Sequence, residues 1–139
     1  MKSYLKTTAG FVLSATMATA SFGATVNVGE LQGFTGPLES MIGPMSGGAN
    51  LAVTEANASG NYLNGTITVV QGDSVCIDPA VATAEAERMI NDENVMAIMG
   101  PNCSGNTGAV ITNVLVPNGV VAISPSATSP ALTTLEDGG

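Results

Sequence analysis

The chain has 139 residues, 45% of them hydrophobic and 10% charged, with 3 Lys and Arg against 11 Asp and Glu and no histidine. This length suits one domain or a piece of one, and the apolar share is enough to bury a core. The net charge of −8 argues against nucleic acid or anionic membrane as a partner, because proteins hold phosphates with clustered basic side chains. Without histidine, and with only two cysteines, the chain lacks most familiar triads and zinc sites. We therefore expect no catalytic residue, no metal and no cofactor.

Residues 1–20 have the pattern of a secretory signal peptide. Lys2 and Lys6 form a positive start, an uncharged and mildly apolar stretch follows over 7–19, and Ala18-Thr19-Ala20 supplies small residues for cleavage. The alternative is an N-terminal helix of the folded protein. The pattern predicts export.

Residues 21–139 would then be the mature part, in which Arg88 is the only basic residue beside 11 acidic ones. Cys76 and Cys103 lie 27 positions apart, without C-x-x-C spacing. In an oxidising compartment such a pair favours one disulfide. Two buried free thiols are the alternative.

Strand and helix patterns alternate along the mature part. The predicted strands cover 25–31, 66–70, 95–99 and 120–123. The predicted helices cover 40–58, 79–91 and about 107–115. Pro44 and Gly47-Gly48 should interrupt the first half of the first helix, which leaves its clearest pattern over 48–58. Asp78-Pro79 should start the second helix, as its N-cap and first residue.

This alternation predicts an α/β fold with a mostly parallel, doubly wound sheet and helices on both faces. Ligands of such sheets bind outside the carboxyl ends of the strands. The loops expected there hold many Ser, Thr and Gly residues and no catalytic constellation; they cover 32–38, 71–78, 100–105 and 124–130. In the second loop, Asp78 is explained as a helix cap and Asp73 as a solvated strand end.

Hydroxyl groups in two of these loops suggest a site for a small zwitterion. Ser104 stands where a strand gives way to a helix, so its hydroxyl and the amides that follow could receive an anionic oxygen. Ser124, Ser126, Thr128 and Ser129 place more hydroxyls and backbone groups in a neighbouring loop. The alternative is that Ser104 only caps its helix and that the other serines only make turns.

Several segments, in this order, resemble the substrate-binding proteins of branched-chain amino-acid ABC transporters, the Leu/Ile/Val-binding, type I periplasmic family. They cover about residues 25–135. The matching motifs are Val28-Gly29, Gly36-Pro37-Leu38, residues 48–60, Gly72-Asp73-x2-Cys76-x-Asp78-Pro79, residues 95–101 with Cys103-Ser104, and Ile123-Ser124-Pro125-Ser126-Ala127-Thr128-Ser129-Pro130.

The resemblance implies a monomeric periplasmic receptor that closes two α/β lobes around an amino acid and delivers it to a membrane permease. It implies that Ser104, Ser126 (through its backbone) and Thr128 hold the carboxylate and ammonium of the ligand. It also supports pairing of Cys76 with Cys103. Family members are much longer than this chain, so residues 21–139 are expected to be an incomplete first lobe. Its sheet should expose an apolar edge, and we expect the isolated chain to aggregate or fold only partly.

Other functions remain as alternatives. A receptor of the same fold could bind an amide, urea or an aromatic acid. An acidic surface protein without a small-molecule site would share the composition and the export signal. A secreted enzyme is disfavoured, because there is no histidine and no G-x-S-x-G nucleophile motif.

Overall fold

The computed structural model describes residues 23–62 and 65–137, so the predicted signal peptide lies outside the described residues. Four strands are present there: β1 (Thr25–Gln32), β2 (Thr66–Asp73), β3 (Val95–Met99) and β4 (Val121–Ile123). The helices are α1 (Glu39–Ser59), α2 (Pro79–Asn91), α3 (Ser104–Val110) and α4 (Val116–Asn118), with a π-helical stretch, Ile111–Leu115, between the last two and a 3-10 helix at Pro130–Thr134.

The four strands form one parallel sheet in the order β2-β1-β3-β4. This confirms the predicted fold class. The chain passes from β1 to β2 on one side and then returns to the other side of β1 to form β3, so the strand order reverses between β1 and β3. Such a reversal opens a crevice between the loops that leave the two strands.

Neighbouring residues of β2 show that helices cover both faces of the sheet. The amide of Gln71 lies 3.5 Å from the Ser46 hydroxyl of α1. A Cβ on Gly72 would lie 2.9 Å from the sulfur of Met89 in α2. Because successive residues of a strand point to opposite faces, α1 and α2 pack on opposite sides.

The two faces differ in chemistry. The buried apolar cluster forms with α2 and the helices after β3; it consists of Leu31, Ala82, Ala86, Met89, Val95, Ile98, Val110, Val114 and Leu115. On the α1 face, Glu30 is 1% exposed and accepts hydrogen bonds from the amides of Gln32 (2.7 Å) and Gln71 (2.9 Å).

No helix among the described residues is long and apolar enough to cross a bilayer.

The α1 face of β4 is exposed. Ile123 pairs with Met99, which pairs with Glu30, so all three lie on the face that α1 covers further along the sheet. Ile123 is 74% exposed and Val121 is 64% exposed. This is the apolar surface expected at the edge of the sheet.

The first helix differs from the prediction, because α1 runs without interruption through Pro44 and both glycines. Pro44 removes a bond to the carbonyl of Ser40, which belongs to the exposed first turn of α1. Water can satisfy a carbonyl there, so the usual cost of an internal proline is reduced.

The second strand is longer than predicted, and the third helix begins earlier than predicted. β2 continues to Asp73 because its backbone pairs with β1 as far as Gln32. α3 begins at Ser104, ahead of the apolar pattern, where Asn106 donates to the Ser74 carbonyl (2.7 Å) and Thr107 to the Pro101 carbonyl (3.0 Å). These tertiary bonds of polar side chains leave no periodic signal in the sequence.

Asp73 is the last residue of β2, as predicted, and it also holds the loop after β1. Its carboxylate accepts from the Thr35 hydroxyl (2.6 Å) and amide (3.3 Å) and from the Val75 amide (2.9 Å). Partial burial raises the pKa of Asp73, but the bonds from Thr35, Val75 and Phe34 outweigh it, and the pKa is lowered overall.

We predict that Gly100→Ala destabilises the fold by about 3 kcal/mol or more, in the range of strong steric effects. Gly100 has φ +125°, and a Cβ there would overlap the carbonyl oxygen of Leu31 in β1. The control is Gly47→Ala in α1, where a Cβ would meet no atom within 4 Å and alanine should stabilise by about 0.5–1 kcal/mol. Urea unfolding measures both, and equal effects would contradict the prediction.

We predict that Asp73→Asn lowers stability at neutral pH and that the loss shrinks in acid. A lowered carboxyl pKa in the folded state contributes stability above the unfolded pKa, near 4, and this is lost as pH falls through the folded value. Urea unfolding of both proteins between about pH 6 and pH 2.5 spans that window. Glu55→Gln, at an exposed carboxylate of α1, serves as the control. A difference that stays constant with pH would show that the charge of Asp73 is not involved.

Candidate ligand-binding site

Three loops meet at the carboxyl edge of the sheet. The first follows β1 (residues 33–38), the second joins β3 to α3 (100–103), and the third follows β4 (124–129). The first two flank the crevice created by the reversal of strand order. The predicted site residues lie in the third loop and at the start of α3.

Ser104 is joined to the loop after β4. Its hydroxyl oxygen accepts hydrogen bonds from the backbone amides of Thr128 (3.0 Å) and Ser129 (3.1 Å). A serine hydroxyl has two acceptor positions and one donor hydrogen, so these bonds leave the donor for another group. Ser104 does not cap α3, since the N-cap is Cys103 and its helix end has no side-chain cap bond. The alternative explanation of Ser104 as a cap is therefore wrong.

Ser126 and Thr128 lie beside this arrangement with acceptors to spare. The Ser126 hydroxyl donates to the Asn102 carbonyl at 2.7 Å. Within residues 23–62 and 65–137, no donor reaches the backbone carbonyl of Ser126 or the hydroxyl of Thr128. The structure thus brings Thr128 into contact with Ser104 and joins Ser126 to Asn102, two positions before Ser104.

Two other serines of this loop stabilise its shape. The Ser124 hydroxyl donates to the Pro101 carbonyl at 2.5 Å and accepts from the Ala127 amide at 2.9 Å. Ser129 accepts from the Ala131 amide at 3.3 Å and so caps the 3-10 helix.

Asn102 is a residue that sequence reasoning missed. Its side-chain oxygen accepts from the Gly33 amide at 2.9 Å, which joins the loop after β1 to the β3–α3 loop. Asn102 is only 4% exposed. A buried asparagine after a buried strand has no distinctive spacing, and only its position beside Cys103 and Ser104 could have drawn attention to it.

A disulfide adds a further connection. Cys76, in the loop after β2, is joined to Cys103, and their Cα atoms lie 5.5 Å apart. Closing a loop with a sequence separation of 27 should stabilise the fold by about 3–4 kcal/mol in the chain-entropy account. The bond also fixes the residue that precedes Ser104.

The described part of the chain offers no positive side chain to an anionic ligand. Arg88, its only basic residue, pairs with Glu85 (3.0 Å) and Glu93 (3.1 Å) and donates to the Gln71 carbonyl (3.0 Å). No group of three or more potential metal ligands occurs there either. The described residues can therefore offer a carboxylate at this edge only neutral donors.

Comparison with known proteins gives the family. A family model described as periplasmic binding protein matches residues 25–136. The leucine-, isoleucine-, valine-, threonine- and alanine-binding protein of Pseudomonas aeruginosa is 32% identical over 127 residues, 87% of this chain and 33% of that protein. The Leu/Ile/Val-binding protein BraC3 of Rhizobium johnstonii is 31% identical over 110 residues, 79% of this chain and 29% of that protein.

Solved structures share the fold. The branched-chain amino acid transporter substrate-binding protein LivJ of Streptococcus pneumoniae, in complex with isoleucine, superimposes with a TM-score of 0.73 at 33% identity, covering 81% of this chain and 32% of that one. A solute-binding protein of R. palustris in complex with 4-hydroxybenzoate gives a TM-score of 0.67 at 26% identity, covering 78% and 29%.

The chain spans about a third of the length of these relatives. Within that third, the family model covers nearly all of the described residues, and the parallel sheet superimposes on solved members. The resemblance predicted from the sequence motifs is confirmed. The chain belongs to the periplasmic binding protein family.

Proposed function

We propose that this protein is an extracytoplasmic receptor that captures an amino acid, branched-chain or similar, and delivers it to an ABC permease. The observation that carries the proposal is the hydrogen bonding of the Ser104 hydroxyl. Both of its acceptor positions are filled by backbone amides of the loop after β4, and its donor hydrogen is unused within the described residues. The same loop carries the Ser126 carbonyl and the Thr128 hydroxyl, which receive no hydrogen bond from the described residues. A donor next to acceptors suits the two charged groups of a zwitterion.

The ligand carboxylate would lie against the start of α3. The Ser104 hydroxyl supplies one donor. The first amides of an α-helix have no acceptor within the helix, so those of residues 104–106 can supply others. Hydrogen bonds to a charged oxygen are stronger than those between neutral groups, which lets neutral donors hold an anion without a basic side chain.

The ligand ammonium would lie on the loop after β4. An ammonium has three donor hydrogens and no acceptor, and the Ser126 carbonyl and the Thr128 hydroxyl are acceptors on the loop that is bonded to Ser104. The acidic chain, with net charge −8, favours a zwitterion over an anion, since an anion meets repulsion that an ammonium group offsets.

A binding role is favoured over a catalytic one. A nucleophilic serine needs a neighbouring base, and no acceptor for the Ser104 proton exists among the residues that the structure describes. We further propose that residues 1–20 direct export to the periplasm, that residues 21–139 form part of a first lobe, and that the receptor acts as a monomer.

The first test is calorimetric titration of the protein made from the complete reading frame. We expect leucine, isoleucine or valine to give saturable heat, because each presents a carboxylate and an ammonium on one carbon. Isobutyramide, urea and 4-hydroxybenzoate are titrated alongside. If 4-hydroxybenzoate binds and no amino acid does, the ligand is an aromatic acid and the proposed ligand class is wrong. If none of these compounds binds, the receptor function is overturned.

The second test concerns Ser104. We expect Ser104→Ala to weaken leucine binding about 10- to 100-fold, the worth of a hydrogen bond to a charged oxygen. It should weaken binding of leucinamide much less, because the amide carries no charge. Ser59→Ala, at the far end of α1, should change neither affinity. Equal losses for leucine and leucinamide would contradict the assignment of Ser104 to the carboxylate.

A further inference from the structure

Asn102 lies between two loops that otherwise approach the site from different sides. Its side-chain oxygen accepts from the Gly33 amide of the loop after β1, at 2.9 Å. Its backbone carbonyl accepts from the Ser126 hydroxyl of the loop after β4, at 2.7 Å. One buried residue therefore joins the loops that border the proposed ligand space, two positions before Ser104.

We infer that Asn102 is a positioning residue that couples these loops and raises ligand affinity without contacting the ligand. The affinity part of this inference rests on the proposed function; the coupling part does not.

The burial of both partners makes the coupling strong. Asn102 and Gly33 are both buried, so water cannot replace the lost acceptor if the side chain is removed. The Gly33 amide must then move towards solvent, and the loop after β1 moves with it. Movement of the Asn102 backbone would also shift the partner of Ser126 and the start of α3.

Asn57 is a matched control. It is also an asparagine that joins two segments, because its side chain accepts from the Ile67 amide (2.8 Å) and donates to the Ile67 carbonyl (2.9 Å). These bonds connect the end of α1 to the start of β2, at the edge of the sheet opposite to the ligand space. Removing them should destabilise the fold without changing the loops that border the ligand space.

The experiment compares Asn102→Ala and Asn57→Ala in the protein made from the complete reading frame. Amide hydrogen exchange is measured by NMR without ligand at Gly33, Thr128 and Ser129, and leucine affinity is measured well below the melting temperature. We expect Asn102→Ala to speed exchange at all three amides and to weaken leucine binding at least tenfold. We expect Asn57→Ala to lower the melting temperature but to leave these exchange rates and the affinity within twofold.

Each other outcome counts against the inference. Unchanged exchange at Thr128 and Ser129 would remove the coupling. Faster exchange with unchanged affinity would make Asn102 merely structural, and equal losses of affinity in both variants would show general destabilisation. If the wild type binds no amino acid, the proposed function fails, and exchange alone still decides the coupling. Asn102→Leu, which fills the buried volume without an acceptor, replaces Asn102→Ala if that variant does not fold.

Discussion

The segment that leaves β3 is the fixed point on which the carboxyl edge of the sheet depends. The loop after β1 is bound to the Asn102 side chain, the loop after β2 to Cys103 through the disulfide, and the loop after β4 to residues 101, 102 and 104. Gly100 permits this because β3 ends directly against the backbone of β1, where a side chain would not fit. Loops normally move more than the elements they connect, so a shared attachment converts three separate loops into one surface.

Scarcity of positive charge determines the chemistry available to that surface. Arg88 is committed to Glu85 and Glu93, so the site residues offer only hydroxyls, amides and carbonyls. Neutral groups bind a charged ligand well when they are held in place beforehand, because they then lose little freedom on binding. The hydroxyl of Ser104 is such a group. Two backbone amides fill its acceptor positions and fix its oxygen, so that only its hydrogen is available to a ligand. The hydrogen bonds that hold the loops in place therefore also hold the neutral donors in the positions that binding requires.

The sequence predicted most of the fold because the strands and α2 carry local signals. Residues 79–91 have an N-cap and a proline at the first position, and residues 95–99 form a continuous apolar run, so both were placed with the observed bounds. The features that the sequence did not predict depend on hydrogen bonds between polar side chains and residues far away in the chain. Asp73 organises the loop after β1 through Thr35, which is 38 positions away, and Asn102 reaches Gly33 over 69 positions. The sequence placed Ser104 and Thr128 near each other through the order of strands and through family resemblance, but it could not reveal that backbone amides fill the acceptors of Ser104.

The proposed site separates recognition of a carboxylate from recognition of the ammonium group beside it. Isoleucine and 4-hydroxybenzoate, the ligands of two structural neighbours, share a carboxylate and differ in whether an ammonium lies beside it. A hydroxyl that can only donate suits both, so in the proposed site Ser104 would favour carboxylate ligands as a class. The Ser126 carbonyl and the Thr128 hydroxyl add acceptors that an aromatic acid leaves unpaired, and unpaired polar groups at a binding site weigh against the ligand that leaves them so. In the proposed site, discrimination between amino acids and other carboxylates would therefore lie in the loop after β4. The groups assigned to the carboxylate and ammonium would contact what all amino acids share and would not distinguish their side chains.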